Sequence, residues 1–294
     1  MMYFLSELEH KLLLHKLLPT AREVGVNPDL RGWNWHQSPL KPYYNEKIPM
    51  YAVCSKYCPT NRDIFLNQVK KVAPTLNFNV SLGKLLHGVV SDALQAIIAR
   101  DSLNFEDWWK KIRWEGMVGD RDLFKKRARQ VWDHVQKTCH AKYAHVSTEQ
   151  PFASNYDLMA SALPFLVEHK ISGELLGLSG LLSLDCYDYL RCIMFDLKVE
   201  SKQEDWHRLS PVGYALVFES VHEVPVDICC VLYLNFLDDK IVVKKDLFFA
   251  NNDLRSWWIE ERDRKLEIVA QRKDPGTPNV CDESCIYYMS CRGG

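Results

Sequence analysis

The sequence lacks any imbalance of charge. It has 37 lysines and arginines against 38 aspartates and glutamates, a formal net charge of −1 over 294 residues. This balance excludes a uniformly basic protein that wraps nucleic acid, so a nucleic-acid site would have to be a local patch. Internal repeats and low-complexity tracts are also missing, and 47% hydrophobic with 26% charged residues is a globular composition. Disordered, collagenous and coiled-coil proteins are therefore excluded.

Long hydrophobic runs are absent as well. The first 20 residues are apolar at helical spacing, but Glu7, Glu9 and Lys11 interrupt them. The longest later apolar stretch, 228–234, has only the length of a strand. We therefore expect no membrane segment and a cytoplasmic protein. In that reducing compartment the ten cysteines should stay reduced, and those that cluster should bind a metal or an iron–sulfur cluster.

Hydrophobic periodicity predicts a mixed α/β (α+β) fold. Helical spacing covers 3–22, 59–72, 81–100 and 105–140. From Phe165 onward the period becomes that of strands, at 165–185, 189–200, 228–236 and 240–249, and a short strand is also expected at 48–53. A helix around 211–220 and a last helix, capped by Asp253 and ending near Gln271, complete the expected elements.

The same patterns divide the chain into four parts. Residues 1–80 form an N-terminal helical arm region, and 81–160 form a second helical region. Residues 161–270 carry the mixed sheet, and 271–294 form a cysteine-containing tail behind a turn-rich linker.

Three cysteines lie in the last 14 residues. Cys281, Cys285 and Cys291 follow a C-x3-C-x5-C pattern, and thiolates so close in sequence need a fourth donor to share a ligand. Cys58 is the best candidate, because the N-terminal amides of the helix expected after it would stabilise a thiolate. Cys54, in the same C-x3-C pair, is the competing donor. Four thiolates suit zinc or a [4Fe-4S] cluster, and one distant cysteine with a C-terminal triplet favours the cluster.

Two aspartates and a lysine form a second group. Asp196 and Lys198 alternate on an expected strand and therefore share one face. If the chain reverses near 189–191, Asp185 lies directly across from Asp196, with side chains about 5 Å apart. Two facing carboxylates repel each other, so we expect a divalent ion, magnesium or manganese, between them.

Such an ion would polarise a phosphodiester and lower the pKa of a bound water. Lys198 would orient that water or stabilise charge on the phosphate. His87, in the helix expected at 81–100, would complete the coordination and favour manganese, because imidazole is the softer donor. A D-x-K pattern is a weak signal by itself, and a lone helical histidine is more often a core residue.

Further motifs accompany these residues in a fixed order. They are RGWNW, SKYCPTNRDIFL, LGLS, HRL-x3-GYAL-x2-E, EVPVDICCVLY and a closing DPG before the last cysteines. Over about residues 30–294, the chain resembles the CRISPR-associated RecB-like iron–sulfur exonucleases of the adaptation (spacer acquisition) step, in their longer archaeal form. The resemblance implies a PD-(D/E)xK nuclease core with a helical N-terminal region and a C-terminal tail pinned by an iron–sulfur cluster.

The resemblance also implies roles for individual residues. It makes His87, Asp185 and Asp196 ligands of Mn²⁺ or Mg²⁺, Lys198 catalytic, and Tyr214 part of a QxxxY-like helix motif. It assigns a [4Fe-4S] cluster to Cys58, Cys281, Cys285 and Cys291. The implied activity is trimming of DNA ends, chiefly single-stranded, alongside the CRISPR integrase complex. The alternatives are a catalytically weak iron–sulfur DNA-binding or scaffold subunit, and a zinc-stapled enzyme acting on another phosphate ester.

The chain departs from the family pattern at three positions. Asp196 stands where many relatives carry Glu, and Ser210 stands where the Gln of QxxxY would fall. Pro211 after Ser210 predicts a helix that has Ser210 as its N-cap and so starts late or kinks.

Candidate DNA contacts follow from sequence proximity to the assigned site residues. They are Arg62, Lys84 and Arg208. The basic run at 125–129 is next to several tryptophans, but there we expect a solvated helix face with the tryptophans in the core rather than a single-strand channel.

Overall fold

A five-stranded mixed sheet lies at the centre of the fold. The computed structural model describes residues 2–200, 202–238, 240–281 and 283–292. The strands lie in chain order across the sheet, with β3 and β4 parallel and all other neighbours antiparallel. Their bounds are β1 Phe165–Ile171, β2 Leu182–Asp188, β3 Ile193–Lys198, β4 Ile228–Leu237 and β5 Lys240–Phe249. The mixed α/β class expected from the sequence is confirmed.

Helices cover the sheet on both faces. Their bounds are α1 Glu7–Leu12, α2 Leu18–Val24, α3 Met50–Cys54, α4 Arg62–Ile64, α5 Phe78–Ile98, α6 Phe105–Lys110, α7 Arg121–Glu149, α8 Asn155–Ala162, α9 Leu209–His222, α10 Asn252–Gln271 and α11 Tyr288–Arg292. Short π-helical segments, Leu13–Leu17 and Phe65–Val69, follow α1 and α4, and a 3-10 turn, Asp205–Arg208, leads into α9. Within the described part of the chain, none of these helices is long and apolar enough to cross a membrane.

Each face of the sheet has its own hydrophobic core. Alternation along β3 sends Phe195 and Leu197 into a core shared with α5 and α7, and sends Met194 into a core shared with α9 and α10. Helix α9 is also the crossover that joins the parallel strands β3 and β4. The strands that carry the two aspartates are therefore enclosed between two helical layers.

A buried carboxylate fixes the N-terminal arm to α9. Glu219 is fully buried, accepts a hydrogen bond of 2.8 Å from the Gly32 N–H, and pairs with the guanidinium groups of Arg31 and Arg255. A Cβ atom at Gly32 would stand 2.0 Å from the Leu216 carbonyl oxygen, so only glycine fits there. These contacts seat the RGWNW segment against the helix.

The expected strand at 48–53 was wrong. Ile48 forms a single bridge to Leu178, and the chain then enters α3. Pro49 is the N-cap residue of that helix. Because proline has no N–H to donate to a ladder, it ends strand pairing at this point.

Two helix starts also differ from expectation. The helix expected from Pro59 begins only at Arg62, because residues 58–61 form a turn in which Asn61 adopts a left-handed φ of 58°. The helix N-terminus expected directly after Cys58 is therefore not there. Helix α10 is capped by Asn251, whose side chain accepts from the Leu254 N–H, rather than by Asp253.

Candidate active site

The two aspartates lie where β2 and β3 separate. The β2–β3 ladder runs from the pair Asp188–Ile193 to the pair Cys186–Phe195. Continued by one step, this register aligns Asp185 with Asp196, the alignment that the sequence predicts, although the ladder itself ends one pair earlier. Beyond the last ladder pair, the N–H of Leu197 donates to Asp185 Oδ2 at 2.7 Å. A carboxylate thus replaces the strand carbonyl as acceptor, and the two strands diverge into a fork.

His87 reaches this fork from α5. Its Nδ1 lies 3.6 Å from Asp185 Oδ1, and its side chain remains 35% exposed. Burial opposes the charged imidazolium, but the Asp185 carboxylate outweighs it and raises the pKa of His87 above its ordinary value. The histidine and the aspartate therefore form a charge-assisted pair, although 98 residues separate them in the sequence.

Asp196 is buried and held by two partners. Its Oδ1 accepts a hydrogen bond from Ser210 Oγ on α9, and its Oδ2 lies 2.8 Å from Lys198 Nζ. That Oδ2 nevertheless receives no regular hydrogen bond. The expected N-cap role of Ser210 was wrong: α9 begins at Leu209, and Ser210 uses its hydroxyl on Asp196. Pro211 is the third residue of α9, and its missing N–H falls in the first turn of that helix.

The environment pushes the pKa values of the two carboxyl groups apart. Burial raises the pKa of Asp196, and the like charge of Asp185 adds to that effect. Burial also acts on Asp185, but His87 and the Leu197 N–H outweigh it and lower the pKa of this carboxyl. Burial likewise opposes the charge of Lys198, and Asp196 outweighs it, raising the pKa of the amine. Divergent values in neighbouring acids are typical of functional sites.

Other side chains line the fork. Burial raises the pKa of Tyr214, and the charges of Asp185 and Asp196 add to this, so the phenol lies within electrostatic range of both carboxylates. Sequence reasoning missed Tyr3, whose buried ring lies 5.5 Å from that of Phe195 and whose phenol is also within range of Asp185. No local pattern marks an N-terminal tyrosine as part of such a site.

Glu168 is a further neighbour with unusual backbone geometry. It falls between the ladder pairs Val167–Cys186 and His169–Leu184, opposite Asp185, and its φ is 49°. A left-handed residue inside a strand is strained and is most often found at functional sites. Its carboxylate accepts a hydrogen bond from the Ser183 hydroxyl and lies 3.7 Å from Lys170 Nζ.

The three candidate DNA-binding residues have different surroundings. Arg62 pairs with Asp274 at 3.0 Å, and Arg208 pairs with Asp246 at 2.7 Å, so each cation holds a carboxylate of another element. Lys84 is exposed on α5, one turn before His87, and has no hydrogen-bond or ion-pair partner among the described residues. Lys84 is the one of the three whose charge is unpaired within that part of the chain.

The basic run on α7 has the expected solvated character. Lys125 and Arg129 both pair with Glu106 of α6. The neighbouring Trp108 and Trp132 are buried in the core. Two of its cations share one carboxylate and the neighbouring tryptophans lie inside, which fits a helix face rather than a channel lined by exposed rings.

Cys58 lies with the C-terminal cysteines, and Cys54 does not. Burial raises the pKa of Cys285, and the nearby thiols of Cys281 and Cys58 add to the effect. Cys54 is instead buried within range of Lys198, and burial raises its pKa to about 12. The positions favour Cys58 over Cys54 as the fourth donor.

Non-covalent contacts hold the tail beside Cys58. Tyr287 packs on Phe65, and its hydroxyl accepts from the Asn67 side chain at 2.8 Å. The N–H of Thr75 donates to the Ile286 carbonyl at 2.9 Å. The last cysteines are therefore anchored next to the segment that follows Cys58 in sequence.

The donor chemistry of both groups suits a cofactor. As placed, no three histidine, cysteine, aspartate or glutamate side chains of the described residues stand close enough to hold a metal ion. The fork nevertheless offers an imidazole and two carboxylates, with a buried Asp196 oxygen that accepts no hydrogen bond, which are ligands that Mn²⁺ and Mg²⁺ take. The four neighbouring thiols are ligands for iron or zinc.

Comparison with known proteins identifies the family. The family model described as CRISPR-associated exonuclease Csa1 matches residues 1–294. A CRISPR-associated exonuclease Csa1 of Saccharolobus solfataricus strain P2 is 27% identical over 288 residues, 95% of this chain and 97% of that protein. Another, of Thermoproteus tenax strain Kra 1, is 24% identical over 298 residues, 98% and 99% of the two chains. A crystal structure of SSO0001 covers 69% of this chain at a TM-score of 0.27, too low to support an argument. This chain belongs to the CRISPR-associated exonuclease Csa1 family.

Proposed function

We propose that this protein is a DNA exonuclease of the RecB-like PD-(D/E)xK type that depends on Mn²⁺ or Mg²⁺. One observation carries the proposal: Asp185 and Asp196 meet at the β2–β3 fork, with His87 3.6 Å from the first and Lys198 2.8 Å from the second. Metal-assisted phosphodiester hydrolysis uses these groups in this proximity. The relatives are named exonucleases, which supports the same class of reaction.

Each side chain at the fork has a part in this proposal. His87, Asp185 and Asp196 would hold the ion, and a bound ion supplies polarisation of the phosphodiester and a water of lowered pKa. Lys198, kept protonated by its acidic neighbours, would stabilise charge that develops on the phosphate. The Ser210 hydroxyl fixes the orientation of the Asp196 carboxylate.

A [4Fe-4S] cluster at Cys58, Cys281, Cys285 and Cys291 is the second part of the proposal. The mutual proximity of these thiols and the packing of Tyr287 on Phe65 support it, because the tail already lies where such a cluster would pin it. Zinc is the alternative. Broad visible absorption of the purified protein supports the cluster, and a colourless protein with stoichiometric zinc overturns it.

The proposed substrate is a DNA end, chiefly single-stranded, trimmed during spacer acquisition beside the CRISPR integrase complex. Family membership supports the CRISPR setting. Lys84, exposed one turn before His87, is the proposed phosphate contact nearest the fork, and Arg62 and Arg208 are proposed to contribute by exchanging their carboxylate partners for phosphate.

Digestion of end-labelled single strands tests the proposal. We expect the purified protein to release nucleotides with Mn²⁺ and to stop when EDTA removes the ion. Lys198→Ala should lower the rate by at least about 100-fold, whereas Lys244→Ala, an exposed lysine on edge strand β5, should match the parent. Equal rates for parent and Lys198→Ala would overturn the assigned chemistry. Tight DNA binding without any digestion would instead support a scaffold subunit.

A further inference from the structure

Two aromatic rings stand together at the protein surface. Tyr57 is 69% exposed, and its ring contacts that of Trp206 edge-on, with centroids 4.9 Å apart and planes at 81°. Trp206 is half-buried and packs on the core beneath it. Large rings that remain together in water form apolar surface of the kind that proteins use for binding.

Trp206 rests on a rigid support. Its ring meets that of His207 at 4.2 Å and 74°, and His207 is fully buried with its Nδ1 3.1 Å from the Tyr233 hydroxyl. Burial lowers the pKa of His207 to about 4, so this support is neutral near pH 7. The indole is therefore held in one orientation by packing.

The backbone leading to Tyr57 is fixed too. The Nζ of Lys265, buried in α10, donates to the carbonyl oxygens of Val53 and Ser55, each at 2.6 Å. Tyr57 lies two residues after Ser55. A ring on a fixed backbone loses little conformational freedom when a ligand stacks on it, which favours binding.

The ring pair adjoins the candidate catalytic residues. His207, next to Trp206 in sequence, contacts Tyr233, and Tyr233 is the β4 partner of Lys198 at the end of β3. Trp206 belongs to the 3-10 turn that runs directly into α9, where Ser210 binds Asp196. The pair is therefore placed beside the end of β3 at which the fork opens.

The surface around Tyr57 and Trp206 is acidic. Glu200, Glu204 and Asp205 are acidic, and the nearby Lys202 already pairs with Glu204. These carboxylates repel the phosphates of a strand, so stacking of a base on the rings has to outweigh that repulsion. Aromatic rings stack on any base, because every base has a π face.

We propose that Tyr57 and Trp206 form a stacking platform for a nucleobase of the single-stranded DNA end presented to Lys198. The inference rests on the proposed function, because it states how the proposed nuclease site binds its DNA substrate. The platform holds bases, whereas cations elsewhere hold the backbone. Stacking on the platform increases the affinity for the strand without sequence preference.

Equilibrium binding to two single-stranded oligonucleotides tests the platform. One carries natural bases throughout, and the other has abasic residues in its last four positions at both ends; EDTA prevents digestion. Tyr57→Ala should weaken binding of the natural strand by about 5- to 150-fold, the range for one lost base stack. Tyr57→Phe, which keeps the ring, should bind like the parent. The abasic strand should bind the parent weakly and lose nothing more with Tyr57→Ala.

Tyr43→Ala is the matched control, because Tyr43 is 73% exposed and lines a groove formed with Ile259 and Asp263 of α10. Unchanged affinity of Tyr57→Ala for the natural strand would overturn the platform. So would an equal loss on both strands, or failure of the parent to bind single strands at all. Digestion of the same strands with Mn²⁺ distinguishes the stacking platform from the proposed nuclease activity. Binding that depends on Tyr57, without metal-dependent release of nucleotides, would support the platform and contradict the nuclease.

Discussion

The backbone N–H of Leu197 donates to Asp185 Oδ2 at 2.7 Å, across the point where β2 and β3 stop pairing. In an uninterrupted ladder, a strand carbonyl would accept that bond. By taking its place, the carboxylate both ends the ladder and fixes its own orientation. The fork and its acidic group are thus one structural feature, and helices from both faces of the sheet can reach it.

Asp185→Asn should remove DNA digestion while leaving the fold intact. The amide keeps an oxygen for the Leu197 N–H but loses the charge that attracts His87 and a divalent ion. We expect a rate at least about 100-fold lower, measured by nucleotide release with Mn²⁺.

Asp188→Asn is the control on the same strand. The Asp188 carboxylate is buried and pairs with the Arg191 guanidinium at 2.8 Å, so loss of its charge should lower the melting temperature and spare activity per folded molecule. Full activity of Asp185→Asn, or equal loss in both variants, would contradict the assignment.

Ser210→Ala should weaken the response to metal. Without the hydroxyl, the buried Asp196 Oδ1 loses its donor and its fixed orientation. We expect the Mn²⁺ concentration for half-maximal activity to rise about 10- to 100-fold, as for other residues that position a ligand.

Ser220→Ala provides the comparison within α9. Its hydroxyl donates to the Val217 carbonyl of the same helix and is buried to a similar degree. The Ser220→Ala variant should change the Mn²⁺ concentration for half-maximal activity by less than about twofold. An unchanged metal titration for Ser210→Ala would show that its hydrogen bond does not matter for the site.

Cys285→Ser should bleach the purified protein, and Cys54→Ser should not. The Cys285 thiol lies with Cys58 and Cys281, whereas Cys54 is buried near Lys198. Visible absorption and iron content per chain are the measurements, with Cys139→Ala, buried in the core between helices, as the control. Full iron content in Cys285→Ser, or loss of iron in Cys54→Ser, would contradict the assignment of the cluster ligands.

Glu219→Gln should destabilise the protein without touching the fork. The substitution removes the fully buried carboxylate that Arg255 and Arg31 share and leaves them only the partly exposed Asp227. Breaking a buried pair in this way costs about 3–5 kcal/mol in the free energy of unfolding. Chemical denaturation measures it, and Glu223→Gln, exposed at the end of the same helix, should change stability by less than about 0.5 kcal/mol. Equal stability of the two variants would mean that the arm is held by other contacts.

The sequence by itself determined the elements with long periodic patterns and the pairing of β2 with β3. Alternation along 182–198 predicts two strands, and the short turn between them sets the register that brings Asp185 opposite Asp196. That inference needs only the period of a strand and the length of a turn, both of which are local. For the same reason, local rules failed where a few residues compete, as at Pro49 and Asn61.

Only the tertiary structure decided which distant residues meet at the fork. His87 lies on α5, Ser210 on α9 and Tyr3 before α1, and nothing in their local spacing says that they approach one pair of aspartates. Their positions result from burying two separate hydrophobic cores on opposite faces of one sheet. Such packing depends on the summed shape and area of many side chains, so it is fixed by the whole fold and not by any single segment.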